Sequence, residues 1–204
     1  TYSNADHSLP FLTNEDIAEA QAINMATAKA LKNKFGEGYK GVLYGGFMAT
    51  ADGVKLIEYN ARFGDPEAMN VLPLLDADFI EICNSIADGT LNSVDVQFQN
   101  KATVCKYAVP EGYPDKPVKG KPIDVSNVVN TDDLFYASVD IQNGQLVEAG
   151  SRTVAVVGIA NTISEAEKIA ENEISAVEGP LFHRTDIGSM QLVNKRVEHM
   201  NSLR

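Results

Sequence analysis

The first half of the chain carries one long segment of helical character followed by two short apolar runs. Residues 13–16 (Thr-Asn-Glu-Asp) form a capping-box-like sequence, and the Ala-, Ile- and Met-rich segment after them predicts a helix over 14–34. The apolar runs at 42–49 and 54–59 flank an Asp-Gly pair at 52–53. Because the residues of a tight hairpin turn must tolerate positive φ, this pair predicts a β-hairpin.

Helical segments follow the predicted hairpin. The Asp-Pro-Glu sequence at 65–67 predicts the N-cap, first turn and acidic second position of a helix, which Pro73 interrupts. A second helix is predicted over 78–88, ending at Gly89. The polar segment 90–100 lacks strong periodicity and is the predicted domain boundary.

The second half is rich in apolar runs of strand length. Strands are predicted at 102–109, 122–129, 134–140, 145–149 and 152–160. An Asn-Gly pair at 143–144 supplies another hairpin turn, and helices are predicted over 164–177 and 189–200. These elements predict an α+β class with a β-rich second domain.

Composition and charge restrict the classes of function. The chain has 204 residues and a formal net charge of −11, with the acidic excess mainly in residues 1–98. Phosphate binding is driven by clusters of Lys and Arg, so this charge argues against a nucleic-acid partner. The sequence has no run of 18 apolar residues, which predicts no membrane span. Cys83 and Cys105 lack the spacing of a metal site and are typical of a reducing cytoplasm.

The segment 57–67 combines carboxylate, amide and guanidinium side chains at the end of the predicted hairpin. Alternate residues of a strand share a face, so Glu58 and Asn60 point the same way, with Cβ atoms roughly 6.6 Å apart. A carboxylate and an amide oxygen at that separation can both reach one hard cation such as Mg²⁺, which completes its shell with water and substrate phosphates. Arg62 can clamp a carboxylate or a transferring phosphoryl group.

The same residues also have an ordinary structural interpretation. Asp65 can serve only as an N-cap. Glu58 and Asn60 can be solvated strand residues, and Arg62 can pair with Asp65. The negative charge of this segment, on Glu58, Asp65 and Glu67, exceeds the single positive charge of Arg62. A divalent cation or a substrate ammonium would relieve the repulsion between these carboxylates if they converge. Spacing alone leaves both interpretations open.

Characteristic strings of sequence extend over nearly the whole chain. Glu58-x-Asn60 on the strand after a hairpin resembles the metal-binding strand of the ATP-grasp ligases. The longer string at 58–67, Glu-Tyr-Asn-Ala-Arg-Phe-Gly-Asp-Pro-Glu, resembles the glycinamide ribonucleotide synthetase (phosphoribosylamine–glycine ligase) family. Supporting strings in the family's order are Tyr-Ser at 2–3, Tyr-Gly-Gly-Phe-Met at 44–48, Gly-Tyr-Pro at 112–114, Ser-Arg-Thr-Val at 151–154 and Arg-Thr-Asp-Ile-Gly at 184–188.

The resemblance implies a fold and an activity. The implied fold is the C-terminal half of an ATP-grasp catalytic domain at 1–98, followed by a smaller β-rich C-terminal domain at 99–204. The implied activity is an ADP-forming ligase of purine biosynthesis. Such an enzyme uses ATP to activate glycine as an acyl phosphate, which the amine of 5-phosphoribosylamine then attacks to give glycinamide ribonucleotide. This chemistry depends mainly on positioning and charge neutralisation.

The resemblance also implies roles for individual residues. Glu58 and Asn60 would hold Mg²⁺ or Mn²⁺ between the phosphates of ATP. Arg62 would steady the developing phosphoryl charge. Asp65 and Glu67 are the candidates for the amine group of glycine or phosphoribosylamine.

Four further residues are expected to border the substrates: Tyr2, Ser3, Gly45 and Gly46. In many ATP-grasp enzymes a further acidic ligand stands twelve positions before the glutamate, where this chain has Gly46. The synthetase family favours glycine there, which counts against another ATP-grasp ligase. The segment 135–139 departs from the family's Phe-His-Ala-Gly-Thr and weakens any role for the second domain.

Part of the family's machinery lies outside this sequence. The family has an N-terminal domain and an ATP-grasp lid that grip ATP, and no Gly-rich phosphate loop occurs here. The N-terminal half of the enzyme, in the same or a separate chain, is therefore an expected partner, and the chain alone is expected to have no ligase activity. Two alternatives remain: another ATP-grasp carboxylate–amine ligase, and a non-catalytic fragment that only docks to a partner.

Overall fold

The computed structural model describes residues 1–204 and has a mixed α and β structure, as the sequence predicts. The helices are α1 (Asn14–Phe35), α2 (Glu67–Val71), α3 (Phe79–Asp88), α4 (Ile163–Ser175) and α5 (Met190–Leu203). The strands are β1 (Tyr2–Ser3), β2 (Tyr44–Thr50), β3 (Gly53–Asn60), β4 (Ala102–Pro110), β5 (Leu134–Tyr136), β6 (Val139–Gln142), β7 (Gln145–Glu148), β8 (Val154–Ala160) and β9 (Leu181–His183). No helix is both long enough and apolar enough to cross a membrane.

The chain divides into two compact units. The sheet unit comprises Thr1–Leu9 and Asn100–Asn194, and the hairpin unit comprises Pro10–Gln99 and Lys195–Arg204. The boundary between Gln99 and Asn100 lies one residue from the expected division between 98 and 99, and each unit also includes one end of the chain. The N-terminal segment joins the sheet unit because β1 pairs with β4, and the C-terminal segment joins the hairpin unit, where Arg204 forms an ion pair with Asp16.

The sheet unit is built on an antiparallel sheet. The strand order is β1-β4-β8-β5, and β9 pairs with the end of β4. The central strands β4 and β8 pair from Ala102↔Ala160 to Ala108↔Val154, and α4 packs against both. Val104, Val156 and Ala170 belong to one buried cluster. Burial of apolar side chains on both strands and on α4 is therefore the main source of stability in this unit.

Close approach of α4 to β8 requires a glycine in the strand. A Cβ atom at Gly158 would lie 1.9 Å from the carbonyl oxygen of Ala166 and 2.8 Å from the nitrogen of Ala170, both on α4. Backbone atoms cannot move aside as a side chain can. The absence of a side chain at Gly158 therefore sets the distance between helix and sheet.

A buried cation lies under α4. The ammonium group of Lys106 on β4 donates to Glu167 at 2.7 Å, to Glu171, and to the carbonyl oxygen of Thr185 at 3.0 Å. The other oxygen of Glu171 lies 3.1 Å from Nε2 of His183. A buried ammonium group is stable only when its donors are satisfied, and here all three have acceptors.

The hairpin unit has a much smaller core. Helix α1 begins with the predicted capping box at Thr13 and Asp16, yet none of its residues is buried. The strands β2 and β3 form a two-stranded sheet. Several large apolar side chains of this unit are exposed, among them Met25, Phe35, Met48, Ile57 and Ile80. The two-stranded sheet packs against α1, but the exposed apolar side chains leave this unit with little apolar cover.

Some expected elements differ in the structure. The segment 122–129 is not a strand. It makes only isolated bridges to β7 and Glu178, and the side chain of Asp124 accepts from the N–H of Ser126 in a turn. The apolar run 134–140 is divided between β5 and β6. The short strands β1 and β9 were not predicted, because tertiary pairing rather than local sequence defines them.

The start of α2 also differs from the expectation. The residue before the helix is Pro66, and no side chain caps the helix at that position. Asp65 is therefore not the N-cap, and the structural interpretation that gave it only that role is wrong.

Replacement Gly158→Ala is expected to destabilise the sheet unit strongly. The added methyl group overlaps the α4 backbone, and overpacking of this kind typically lowers the free energy of unfolding by about 1–3 kcal/mol or more. Urea unfolding followed by circular dichroism measures the change. The matched control is Gly38→Ala, because a Cβ at Gly38 meets no atom within 4 Å. Equal stability of the two variants would contradict this account of the packing.

Replacement Glu171→Gln is expected to change the pH dependence of stability. Burial raises the pKa of Glu171, but hydrogen bonds from Lys106 and His183 outweigh it, and the net pKa lies below the usual 4.5. Because the pKa of Glu171 is lower in the folded protein than in the unfolded chain, the ionised carboxylate stabilises the fold above about pH 4.5. This stabilisation is lost as the pH falls through the folded-state pKa. The difference in unfolding free energy between wild type and variant should therefore shrink between pH 7 and pH 3. A constant difference for Glu171→Gln over this pH range would argue against this network.

Candidate functional site

The hairpin of β2 and β3 determines which residues face each other in the candidate site. Its turn follows Thr50, whose hydroxyl donates to the carbonyl oxygen of Gly53 at 2.7 Å, and Gly53 has a φ of 89°. Strand pairing starts at Thr50↔Gly53 and ends at Tyr44↔Asn60. The predicted hairpin is thus present, with a turn that ends at the glycine of the Asp-Gly pair.

A bulge in β3 changes the register of this hairpin. Phe47 pairs with Leu56 and Gly46 pairs with Glu58, which leaves Ile57 as the extra residue of β3. Without the bulge, Glu58 would oppose Gly45. The bulge therefore places Glu58 opposite Gly46, a residue without a side chain, and increases the local twist of the hairpin.

Glu58 and Asn60 share one face of β3, as strand alternation predicts. The amide nitrogen of Asn60 donates to Oε1 of Glu58 at 3.3 Å. Tyr59, between them, points to the opposite face, where its hydroxyl contacts Asn24 and Thr27 of α1 at 2.8 and 3.1 Å. Contacts of Tyr59 with α1 hold β3 in the orientation that presents Glu58 and Asn60 together.

The shared face opens onto a cavity of about 300 Å³. Its lining brings together five of the predicted chemical residues, Glu58, Asn60, Arg62, Asp65 and Glu67, together with Gly46. The remaining walls come from Tyr44, Phe47, Ile57 and Gly64. Three carboxylates therefore line one cavity with a single guanidinium group, and the convergence that spacing left open is present.

Arg62 lies at the exposed rim of this cavity. Its Nη1 donates to the carbonyl oxygen of the next residue, Phe63, at 2.6 Å. This bond engages one nitrogen of the guanidinium group. The group has five N–H donors, so most of its donors remain for an anionic ligand.

The two adjacent glycines of β2 serve different purposes. A Cβ at Gly45 would lie 2.6 Å from the ring of Phe47 and 3.0 Å from Oδ1 of Asn24 on α1. A Cβ at Gly46 would lie 3.5 Å from Cγ of Glu58, which is ordinary contact. Gly45 is therefore required by packing on the α1 side, whereas Gly46 leaves open space in front of Glu58. Gly45 does not line the cavity, and a role for it beside the substrate stays a prediction.

Tyr44 is a cavity residue to which the sequence assigned no role. Burial raises the pKa of its phenol to about 12, with further contributions from the charge of Glu67, a hydrogen bond with Glu67 and the charge of Glu58. The signal in the sequence was its position within the first apolar run, before the two glycines. Its pairing with Asn60 depends on the bulge, which the sequence does not reveal.

The predicted residues Tyr2 and Ser3 lie in the sheet unit. They form β1 and pair with Val104 and Thr103 of β4. Ser3 Oγ lies 3.5 Å from Oγ1 of Thr103. Their expected role beside the substrates stays a prediction.

The donor set at Glu58 and Asn60 fits a hard divalent cation. The two side chains provide a carboxylate and an amide oxygen on one face, beside two further carboxylates in the cavity lining. No group of three or more His, Cys, Asp or Glu side chains in the structure could hold a metal ion by itself. A cation here would therefore take further ligands from water or a bound phosphate, which is the usual coordination of Mg²⁺.

Two family models match the chain. The ATP-grasp (A) domain of phosphoribosylglycinamide synthetase matches residues 2–68, and the C domain of the same synthetase matches residues 103–190. The first match contains every residue of the cavity. Together the two matches cover more than half of the chain.

Curated relatives and one solved structure that resemble the chain are all phosphoribosylamine–glycine ligases. The chain is 56% identical over 207 residues to the phosphoribosylamine–glycine ligase of Methanocaldococcus jannaschii and 52% identical over 206 residues to that of Methanococcus vannielii. Each match covers 100% of this chain and 46% of the relative, so the chain spans about half the length of these relatives. The crystal structure of the Thermotoga maritima ligase matches with a TM-score of 0.74 and 27% identity, covering 86% of this chain and 44% of that one.

Proposed function

Because the chain belongs to the phosphoribosylglycinamide synthetase family, we propose that it is the C-terminal part of a phosphoribosylamine–glycine ligase. The complete enzyme would join glycine to 5-phosphoribosylamine with ATP. The γ-phosphoryl group would pass to the glycine carboxylate, releasing ADP. The amine of phosphoribosylamine would then attack the acyl carbon, releasing inorganic phosphate and a proton and forming glycinamide ribonucleotide.

One observation carries this proposal. The carboxylate of Glu58 and the amide of Asn60 are neighbours on one wall of a polar cavity, and Gly46, opposite Glu58, leaves the wall open. This arrangement supports the binding of Mg²⁺ or Mn²⁺ by Glu58 and Asn60. A bound divalent cation would neutralise charge on the phosphates of ATP during transfer.

The other charged residues of the cavity support distinct roles in the same reaction. Arg62 would interact with the phosphoryl group as it moves, because its guanidinium group matches the geometry of phosphate oxygens. Asp65 and Glu67 would bind the ammonium group of glycine or the amine of phosphoribosylamine. Tyr2, Ser3, Gly45 and Gly46 would border the substrates.

The N-terminal half of the ligase is the proposed partner of this chain. The relatives are about twice as long as the chain, and the match to the ATP-grasp domain ends at residue 68. Exposed apolar side chains such as Met25, Phe35 and Met48 of the hairpin unit are candidates for contact with that half. We propose no nucleic acid or membrane partner. The free cysteines Cys83 and Cys105 are consistent with a cytoplasmic location.

The purified 204-residue chain alone is expected to release no ADP from ATP in the presence of glycine and phosphoribosylamine. A chimera in which this chain replaces the matching 206 residues of the Methanococcus vannielii ligase is expected to be active, because it regains the remaining half. A coupled assay of ADP release measures both. Robust turnover by the chain alone, or an inactive but folded chimera, would contradict the proposal.

In that chimera, Glu58→Gln is expected to lower kcat/KM by about 100-fold or more and to raise the Mg²⁺ concentration required for half-maximal rate. Asn60→Ala should act in the same direction, because it removes the second oxygen donor. The matched control is Glu37→Gln, which neutralises an exposed carboxylate of the hairpin unit outside the cavity. The metal assignment fails if the Mg²⁺ dependence of Glu58→Gln equals that of Glu37→Gln.

A further inference from the structure

Tyr44 and Glu67 meet over a glycine at the wall of the cavity. Tyr44 is the first residue of β2, and Glu67 is the first residue of α2. Between them lies buried Gly64, where a Cβ would stand 2.5 Å from Oε2 of Glu67 and 3.2 Å from two ring carbons of Tyr44. Both side chains therefore cover the same piece of bare backbone, and any side chain at 64 would separate them.

Gly64 is required for this space rather than for its conformation. Its φ lies outside the left-handed range that favours glycine. Its carbonyl oxygen accepts from the N–H of Ala68 at 2.9 Å, which fixes the backbone at the entry to α2. The glycine thus allows the aromatic ring and the carboxylate to pack on one fixed surface.

Beside Gly64 the phenol of Tyr44 is protonated at neutral pH and can donate to the Glu67 carboxylate. The hydrogen bond and the negative charges of Glu67 and Glu58 add to burial in raising the pKa of the phenol to about 12. A neutral phenol donates a single hydrogen bond, and a carboxylate has about four acceptor sites. Glu67 therefore keeps acceptor sites for a ligand while it is held by Tyr44.

This contact constrains the side chain of Glu67, which lies at the start of a short helix without a side-chain cap. α2 has five residues, and no side-chain hydrogen bond caps its start at Pro66. A free glutamate side chain loses rotamer entropy when it is fixed for binding. Tyr44 links Glu67 to β2, whose neighbour β3 carries Glu58 and Asn60, so part of this ordering is present before a ligand binds.

We propose that Tyr44 is a positioning residue of the cavity: its phenol holds the Glu67 carboxylate toward the wall of Glu58 and Asn60, ready to accept an ammonium or amine group. The inference rests on the proposed function for the nature of the ligand. It adds a residue that acts through Glu67 and touches no substrate. Tyr44→Phe keeps the ring over Gly64 and removes only the donor.

The contact itself is tested in the 204-residue chain, where no ligase activity is needed. Unfolding free energies of Tyr44→Phe, Glu67→Gln and the double variant form a double-mutant cycle. The two changes are expected to be non-additive, because Tyr44→Phe removes the donor of this hydrogen bond and Glu67→Gln removes the negative charge of its acceptor. Additive effects would overturn the proposal at this step.

The positioning role is tested in the chimera by steady-state kinetics. Tyr44→Phe is expected to raise KM for glycine or for phosphoribosylamine about 10-fold. This rise in KM should be the same from pH 6 to pH 9. The Mg²⁺ concentration that the enzyme requires should not change. The double variant with Glu67→Gln should be no worse than Glu67→Gln alone. The matched control is Tyr39→Phe, which also removes a bonded phenol hydroxyl, that of Tyr39 to the carbonyl oxygen of Val42, but lies outside the cavity. The KM values of Tyr39→Phe should stay within about 2-fold of wild type.

The outcomes separate this proposal from the proposed function. An unchanged KM in Tyr44→Phe, in a chimera that loses activity on Glu58→Gln, would overturn the role of Tyr44 and leave the ligase assignment intact. A rise in KM of the same size in Tyr39→Phe would also overturn it, because general loosening would then explain the effect. A folded chimera without activity would contradict the ligase assignment, and the role of Tyr44 in amine binding would fall with it.

Discussion

The pairing of β2 with β3 is the constraint on which the candidate site depends. The bulge at Ile57 places Glu58 opposite Gly46 and Asn60 opposite Tyr44. A slip of one residue would move every later side chain of β3 to the other face of the hairpin. Glu58 and Asn60 would then face α1, and no cavity could contain both. The hydrogen bonds of Tyr59 to α1 oppose such a slip, because Tyr59 can reach Asn24 and Thr27 in only one register.

The site is polar and incomplete by itself, and both properties have a physical reason. Glu58 and Asn60 offer two oxygen donors, whereas Mg²⁺ requires about six ligands. Gly46 has no side chain and provides space opposite Glu58. Such a wall suits a cation whose remaining ligands are water and the phosphates of a nucleotide. The thin core of the hairpin unit is consistent with this view, since its exposed apolar side chains need cover that the chain does not supply.

Local sequence predicted the elements that turns and caps define. The Asn-Gly pair gave the β6–β7 turn, with φ of 51° at Asn143 and 77° at Gly144, and the Thr13 capping box gave the start of α1. Sequence could not predict the bulge at Ile57, because strand pairing rather than local preference determines it. Its consequence, the contact between Tyr44 and the cavity residues, was missed for the same reason. The sequence did not predict the strands β1 and β9, because segments of two and three residues are too short to show a periodic pattern.

The most direct test of the central claim is the position of a bound metal ion. Crystals of the chimeric ligase grown with Mn²⁺ and ADP allow the ion to be located by its anomalous scattering. We predict a peak within coordination distance of a carboxylate oxygen of Glu58 and the amide oxygen of Asn60, on the open side facing Gly46. A well-occupied nucleotide with its Mn²⁺ held by other residues, and no peak at Glu58 and Asn60, would contradict the account.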